Sequence, residues 1–416
     1  GIYTTLTMFD LIIALWTLVG INGLIDVWQG RRMRGWLLFA VAIGFGVLSK
    51  GPVILVYLLP TALLAPYWAV AATRPNWPAW YVGLIVSVLL GAGIALAWAI
   101  PAGFAGGEEY RNAIFWGQSA GRMVKSFAHR EPFWWYLAIL PGLLLPWLIW
   151  PSLLKKLWQN FRDRSQSEAD PGLRLSLVWA VATILILSAI SGKRPHYLLP
   201  MFPALAICGA VLVASIAKGD FLRGRWDMVP PTLFLIILGA AAGFAPEIGA
   251  AVNRPELTAE IERLWALPLV ALAIFLVLKP PQSGYPRLFA IAATSAIFII
   301  SIQAVLQPVL NTGYDLRPTA KYLAKAQQQG YVIAHFGKYH GQFQFLGRLE
   351  KPIIITGDGE VIKWLANRPQ AKIISVHTKL DGNGPKPDFV QKYRRKYLAV
   401  WDRATVLAHP TAPHRN

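Results

Sequence analysis

Residues 175–217 read LSLVWAVATILILSAISGKRPHYLLPMFPALAICGAVLVASIA. Two apolar blocks, 175–191 and 198–217, approach the roughly 20 residues that a helix needs to cross a bilayer. Between them sit Lys193, Arg194, His196 and Tyr197, held by Pro195 and Pro200. A charge at membrane depth costs at least about 2.5–3.5 kcal/mol on insertion scales, so two cations at a helix junction ask for a reason. Arg, Lys and Tyr are all donors to phosphate, so the cluster suits an anion held where the two helices meet. The plainer alternative is a basic loop touching lipid headgroups.

The rest of the chain repeats this layout. Apolar residues make up 55% of the 416 and charged residues only 15%, well under the roughly 25% of soluble domains. Ten apolar blocks recur, at about 5–27, 35–48, 52–71, 80–101, 133–153, 175–191, 198–217, 229–248, 265–279 and 287–306. The fold class is a polytopic α-helical membrane protein, and the 18 Trp and 14 Tyr fit interfacial anchoring. The net charge of +19 would suggest nucleic acid in a soluble protein. Here the basic residues fall in short loops, so topology explains them and nucleic acid is excluded as a partner. One set of alternate loops carries Arg31, Arg32 and Arg34; Arg74; Lys155, Lys156, Arg162 and Arg164; Lys218, Arg223 and Arg225; Lys279 and Arg287. The positive-inside rule puts that set in the cytoplasm. The other set faces outward: the Ser49-Lys50-Gly51-Pro52 turn, the 102–132 loop, the Gly192–Tyr197 segment, the 249–264 loop and the tail.

The tail, residues 308–416, changes composition. A helix is expected over Leu316–Gln329, then strands at Tyr331–Phe336, Pro352–Thr356, Lys372–Val376 and Tyr397–Trp401, with a second helix near Val361–Ala366. Strands alternating with helices predict a small extracytoplasmic α/β domain, following a membrane region over 1–307. The Thr356-Gly357-Asp358-Gly359 turn lacks the spacing of a nucleotide-binding loop and reads as ordinary. The single cysteine, Cys208, excludes a disulfide within one chain.

Two further outward charges lie in apolar surroundings. Asp10 stands in Thr7-Met8-Phe9-Asp10-Leu11, and Lys50 in a turn broken by Gly51 and Pro52. The ordinary readings are a helix-end carboxylate for Asp10 and snorkelling for Lys50. Arg122 lies in a stretch, Asn112–Val124, that reads as an interfacial helix.

These segments resemble the GT-C superfamily of membrane glycosyltransferases, in the family shared by protein O-mannosyltransferases and lipid A aminoarabinose transferases. The likeness rests on Thr5-Leu6-Thr7-Met8-Phe9-Asp10, Leu48-Ser49-Lys50-Gly51-Pro52, His129-Arg130-Glu131-Pro132-Phe133-Trp134-Trp135-Tyr136 and Gly192-Lys193-Arg194-Pro195-His196-Tyr197-Leu198-Leu199-Pro200. It covers roughly residues 1–310. The resemblance implies sugar transfer from a polyprenyl-phosphate donor to an acceptor glycolipid, glycan or protein, outside the cytoplasmic membrane of a bacterium. It implies that Lys50, Tyr197 and Arg122 help hold the lipid phosphate, that Lys193, Arg194 and His196 bind the phosphate or substrate with them, and that Asp10 is a supporting carboxylate. The family's catalytic carboxylate matches nothing after Gly1. The expectation is therefore a chain lacking N-terminal helices and inactive alone. No cofactor is evident. The histidines are scattered without metal-ligand spacing, though a divalent metal held partly by residues before Gly1 stays open. A transporter or lipid flippase is the rival class, since intramembrane charges mark ion paths as readily. Such proteins often show related halves, and no internal repeat is visible.

Overall fold

The computed structural model describes residues 9–69, 75–112, 114–115, 130–162, 171–217, 225–252, 258, 261–281, 284–381, 384–394 and 396–414. The chain divides into two compact units. One comprises Gly1–Ile237 with Pro268–Ile299, and the other Leu238–Leu267 with Ile300–Asn416.

The first unit is built on an antiparallel pair, α1 (Phe9–Trp28) and α2 (Arg32–Lys50). Both carry glycine where their backbones meet. A Cβ on Gly23 would stand 2.7 Å from the Gly35 carbonyl oxygen, and one on Gly35 would stand 2.5 Å from the Gly23 oxygen. Small residues of this kind let membrane helices approach closely. The turn between the helices is closed by Asp26, which accepts from Arg31 at 2.5 Å and pairs with Arg34 at 3.1 Å.

At Gly51 the chain reverses. After a 3₁₀ turn, α3 (Ile54–Leu63) and the short α4 (Ala65–Trp68) run back along α1. Leu58 fills the space over Gly20, and Trp68 packs edge-on against Trp28 at 6.4 Å. Residues 32–63 thus form a long helical run in sequence but two opposed arms in space. Asn76 then caps α5 (Trp77–Ala105), accepting from the Ala79 N–H at 3.3 Å. This helix runs parallel to α2, with Trp36 against Gly83 and Ile43 against Gly91. Further helices in the first unit include α6 (Gly107–Asn112), α7 (Trp135–Leu143), α8 (Pro151–Arg162), α9 (Pro171–Ala189) and α10 (Phe202–Ala217). Its core gathers Trp68, Trp80, Trp179, Tyr57 and Tyr136 with leucines and isoleucines of these helices.

Among the described residues, seven helical stretches are long and apolar enough to cross a membrane: Phe9–Trp28, Arg32–Leu63, Trp77–Ala105, Pro171–Ala189, Pro195–Ala214, Trp226–Gly243 and Pro286–Gln307. The count of ten blocks is approximate for two physical reasons. The expected 133–153 block is broken, with a 3₁₀ turn at Trp147–Ile149 between α7 and α8, and Arg263–Leu278 is too short to stand alone as a span. The pair of blocks at 35–48 and 52–71 is the doubled-back run just described.

A buried ion pair that composition does not announce ties α8 into its unit. Asp227 accepts from the Ser152 N–H at 3.0 Å and from its hydroxyl at 2.7 Å, and Arg287 reaches the same carboxylate at 3.1 Å. The carboxylate satisfies an orphan N–H in the first turn of α8, where negative charge is favoured. Asp227 is 2% and Arg287 4% exposed.

Four more helices carry the chain onward: α11 (Val229–Gly243), α12 (Ala245–Ala251), α13 (Leu267–Leu278) and α14 (Gly284–Tyr314). The last continues past residue 307, where sequence placed the end of the membrane region.

The second unit contains a five-stranded sheet. Its strands are β1 (Val332–Phe336), β2 (Ile354–Thr356), β3 (Ala371–His377), β4 (Phe389–Tyr393) and β5 (Lys396–Asp402), in the order β2-β1-β3-β5-β4. The first three pair in parallel, with Ala334 opposite Ile354 and Ile373; β5 and β4 add antiparallel. Helix α15 (Arg317–Gln328) packs on the face of Ile333 and Ile374, with Phe343 and Leu349 from either side of the short α16 (Gln344–Gly347), which lies against α15. Helices α17 (Val361–Ala366) and α18 (Arg403–Ala408) pack on the face of Ala334 and Ile373.

His377 ends β3 buried, 2.7 Å from the Ser375 hydroxyl and edge-on to Trp401. Burial pushes its imidazole below the ordinary value. Near and below the usual pKa of about 6.5 the unfolded chain takes up a proton that the folded chain resists, so stability falls as pH drops through that window. Hydrogen exchange of β3 amides, corrected for intrinsic rates, should show protection declining from pH 7 to 5, and His377→Gln should flatten that decline. An unchanged slope in the variant would assign the effect elsewhere.

Candidate functional site

The charges that sequence picked out at Asp10, Lys50 and 194–197 come together at one end of the bundle because α1 and α2 are antiparallel. Asp10 lies in the first turn of α1 and Lys50 in the last turn of α2. An ammonium at a helix C-terminus is favoured by the helix dipole. Antiparallel packing sets the two ends side by side, and the Lys50 Nζ meets the Asp10 Oδ1 at 2.5 Å. Asp10 is 4% exposed, and the Lys50 side chain 28%.

The third wall is the strap 194–197, which leads into a 3₁₀ turn over Pro195–Met201. The Tyr197 ring lies 4.7 Å from the Lys50 Nζ in a cation–π arrangement. His196 stands edge-on to that ring at 4.9 Å, with its Nε2 3.9 Å from the other Asp10 oxygen, an ion pair only when the imidazole is protonated. The cluster therefore presents a partly exposed ammonium, steadied by a carboxylate below and an aromatic face beside it.

Two tyrosines to which sequence reasoning assigned no role hold the strap in place. Tyr57 of α3 donates to the Tyr197 carbonyl at 2.9 Å. The Tyr136 hydroxyl of α7 donates to the Arg194 carbonyl and accepts from the Arg194 N–H, both at 3.3 Å. Each is a tyrosine set in an apolar helix, and a buried phenol there needs a polar partner. That is the one signal by which they could have been found.

Lys193 is used differently from the expectation. It is 3% exposed, and its ammonium donates to the carbonyls of Ile190 at 2.6 Å and Glu131 at 3.1 Å. With the Glu131 N–H bonded to the Ser191 carbonyl and Arg130 bridged to Gly192, it zips the 130–131 strand to the 191–192 turn. Two of its three donors are committed, so it acts as a clamp behind the site. Arg194 is exposed on the strap. Arg122 lies outside the described residues. Among the described residues, no group of three or more His, Cys, Asp or Glu side chains could share a metal ion.

No family model matches the chain. Its sequence is 25% identical over 375 residues to undecaprenyl phosphate-alpha-4-amino-4-deoxy-L-arabinose arabinosyl transferase 2 of Pseudomonas fluorescens, covering 88% of this chain and 60% of that protein. It is 33% identical over 228 residues to the corresponding transferase of Edwardsiella ictaluri, covering 52% of this chain and 38% of that one. The chain thus spans three-fifths or less of the length of these relatives. The crystal structure of ArnT from Cupriavidus metallidurans in the apo state superposes with a TM-score of 0.64 at 17% identity, over 96% of this chain and 75% of that one. The same protein bound to undecaprenyl phosphate gives 0.61, over 94% and 74%. The chain therefore shares the fold of that Cupriavidus metallidurans protein. In sequence it is similar to the undecaprenyl phosphate-alpha-4-amino-4-deoxy-L-arabinose arabinosyl transferases.

The turn that presents Lys50 depends on one backbone conformation. Gly51 has φ 74° and ψ −166°, a region open essentially to glycine alone. Its Cβ position is empty, so Gly51→Ala tests the backbone and not packing. The variant should lose about 1–3 kcal/mol of stability in thermal unfolding in detergent. Wild-type stability in Gly51→Ala would mean that the turn is not held as described.

Proposed function

We propose that this chain supplies the lipid-phosphate site of a glycosyltransferase that moves an aminoarabinose-type pentose from undecaprenyl phosphate to a glycolipid acceptor. One observation carries the reading: Lys50, partly exposed, is held between the Asp10 carboxylate and the Tyr197 ring at one end of a polytopic bundle. The names of the relatives support the donor, and a solved neighbour of the same fold binds undecaprenyl phosphate.

Arg31 and Arg34 gather at the opposite end of α1, around Asp26. The positive-inside rule assigns that end to the cytoplasm, so the Lys50 end faces outward in a bacterial inner membrane. The same alternation assigns the C-terminal sheet unit to the outer side.

The reaction is a single displacement. A base takes the proton from the acceptor hydroxyl, the freed oxygen attacks the anomeric carbon, and the bond from that carbon to the lipid phosphate breaks. The departing phosphate keeps the bonding electrons. Lys50, Arg194 and the Tyr197 hydroxyl stabilise the charge it gains, an arrangement most effective when the donors are preorganised away from water. His196 and Lys193 shape the strap, and Arg122 is assigned to the same phosphate. Asp10, bonded to Lys50, sets the position of the ammonium and is not assigned as the base.

Binding of undecaprenyl phosphate to the chain in detergent tests the reading. Lys50→Ala and Tyr197→Phe should each weaken it tenfold or more, about 1.4 kcal/mol. Tyr197→Phe keeps the ring over Lys50 and removes only the hydroxyl, so it isolates the phosphate contact. Binding indifferent to both substitutions would remove this assignment and put the transporter class first.

A further inference from the structure

The sheet unit contains a crevice of its own. Strand order β2-β1-β3 reverses at β1, since β1 leads to a neighbour on one side and β2 crosses back to the other. The segments after these strands lie on opposite faces: Phe343 and Leu349, which flank α16, pack with Ile333, and α17 packs with Ala334. Connections that part in this way leave a gap beyond the carboxyl ends of parallel strands, where open α/β sheets bind ligands.

A cavity of about 250 Å³ occupies that place, lined by His335, Phe336, Gly337, Lys338, Asp358 and His414 among others. It is smaller than the roughly 300–1,000 Å³ of drug-sized pockets, so it suits a single substituted sugar ring better than a nucleotide. Gly337 and Gly359 both have φ 78° with open space where a Cβ would stand, which leaves bare backbone along the two loops. The chemistry of the lining is divided. Lys338 is exposed and, among the described residues, has no ion-pair partner. His414 Nδ1 stands 3.2 Å from Asp358 Oδ1, and the His414 ring lies 5.1 Å from that of Phe336. The 308–416 segment carries seventeen Lys and Arg against seven Asp and Glu, which favours an anion.

We propose that this crevice binds a phosphorylated monosaccharide. The phosphate sits on Lys338 and the His414 imidazole, ring hydroxyls bond to Asp358, and the apolar face of the sugar rests on Phe336. The same chemistry is offered by a free sugar phosphate and by the phosphorylated sugar headgroup of a glycolipid. The inference does not depend on the transferase reading, because it concerns residues of the sheet unit alone.

Calorimetric titration of the intact chain in detergent tests it, in a Lys50→Ala background that removes the main cation of the bundle cluster. Glucose 1-phosphate should bind saturably. Lys338→Ala should weaken it at least tenfold, and Asp358→Asn should weaken glucose 1-phosphate while leaving inorganic phosphate unchanged. Both side chains are exposed, and unaltered thermal unfolding confirms that the variants fold. Competition by micelles of lipid A would identify the headgroup as the source, and a lack of competition would identify the soluble sugar phosphate. No saturable binding up to about 10 mM, or equal affinity in Lys338→Ala, would overturn the proposal.

Discussion

The arrangement at the Asp10 end of the bundle depends on the ion pair between Asp10 and Lys50. Two charges set among apolar helices are tolerated because each neutralises the other. Removing one partner from a buried pair leaves an uncompensated charge, typically at a cost of about 3–5 kcal/mol. The pair also fixes where the ammonium points. The Tyr197 ring and the His196 imidazole close around it, and Tyr57 and Tyr136 hold the strap that carries them. The tight backbone approach at Gly23 and Gly35 brings the two helix ends to the same level. Packing near the Asp26 end of the α1/α2 pair thereby helps to set the geometry at the Asp10 end.

Much of this was legible in the sequence. Charges in apolar stretches are few, and Asp10, Lys50 and the 193–197 cluster stood out on that ground alone. Their division of labour did not. Asp10 and Lys50 are forty residues apart, and only the antiparallel pairing of α1 and α2 makes them partners. Lys193 looked equivalent to Arg194, yet its ammonium is committed to backbone carbonyls because the 130–131 segment lies beside it. That adjacency is tertiary and leaves no local mark. Asp227 is similar: it reads as one acid in a basic loop, while in space it neutralises Arg287 and caps α8.

The fold divides in the same way. Length and hydropathy found the apolar blocks but not where they break, so the 133–153 block became one short helix, a 3₁₀ turn and the start of α8. The reversal at Gly51 was readable from its Gly-Pro signal. In the sheet, β1, β2, β3 and β5 are apolar runs and fall close to where sequence placed them. Strand β4 was missed because Phe389–Tyr393 is an edge strand with alternate residues exposed and Gln391 and Lys392 within it. Which face each crossover helix covers, and hence the crevice at the reversal of strand order, follows only from the topology.

The central claim is that Lys50 touches the lipid phosphate. Dipolar dephasing between ³¹P of undecaprenyl phosphate and ¹⁵Nζ-labelled lysine, in protein reconstituted into uncharged bilayers, reads that contact directly. The account predicts a strongly dephased lysine signal that disappears in Lys50→Gln. Dephasing that survives this substitution, or none in the wild-type chain with lipid bound, would contradict it.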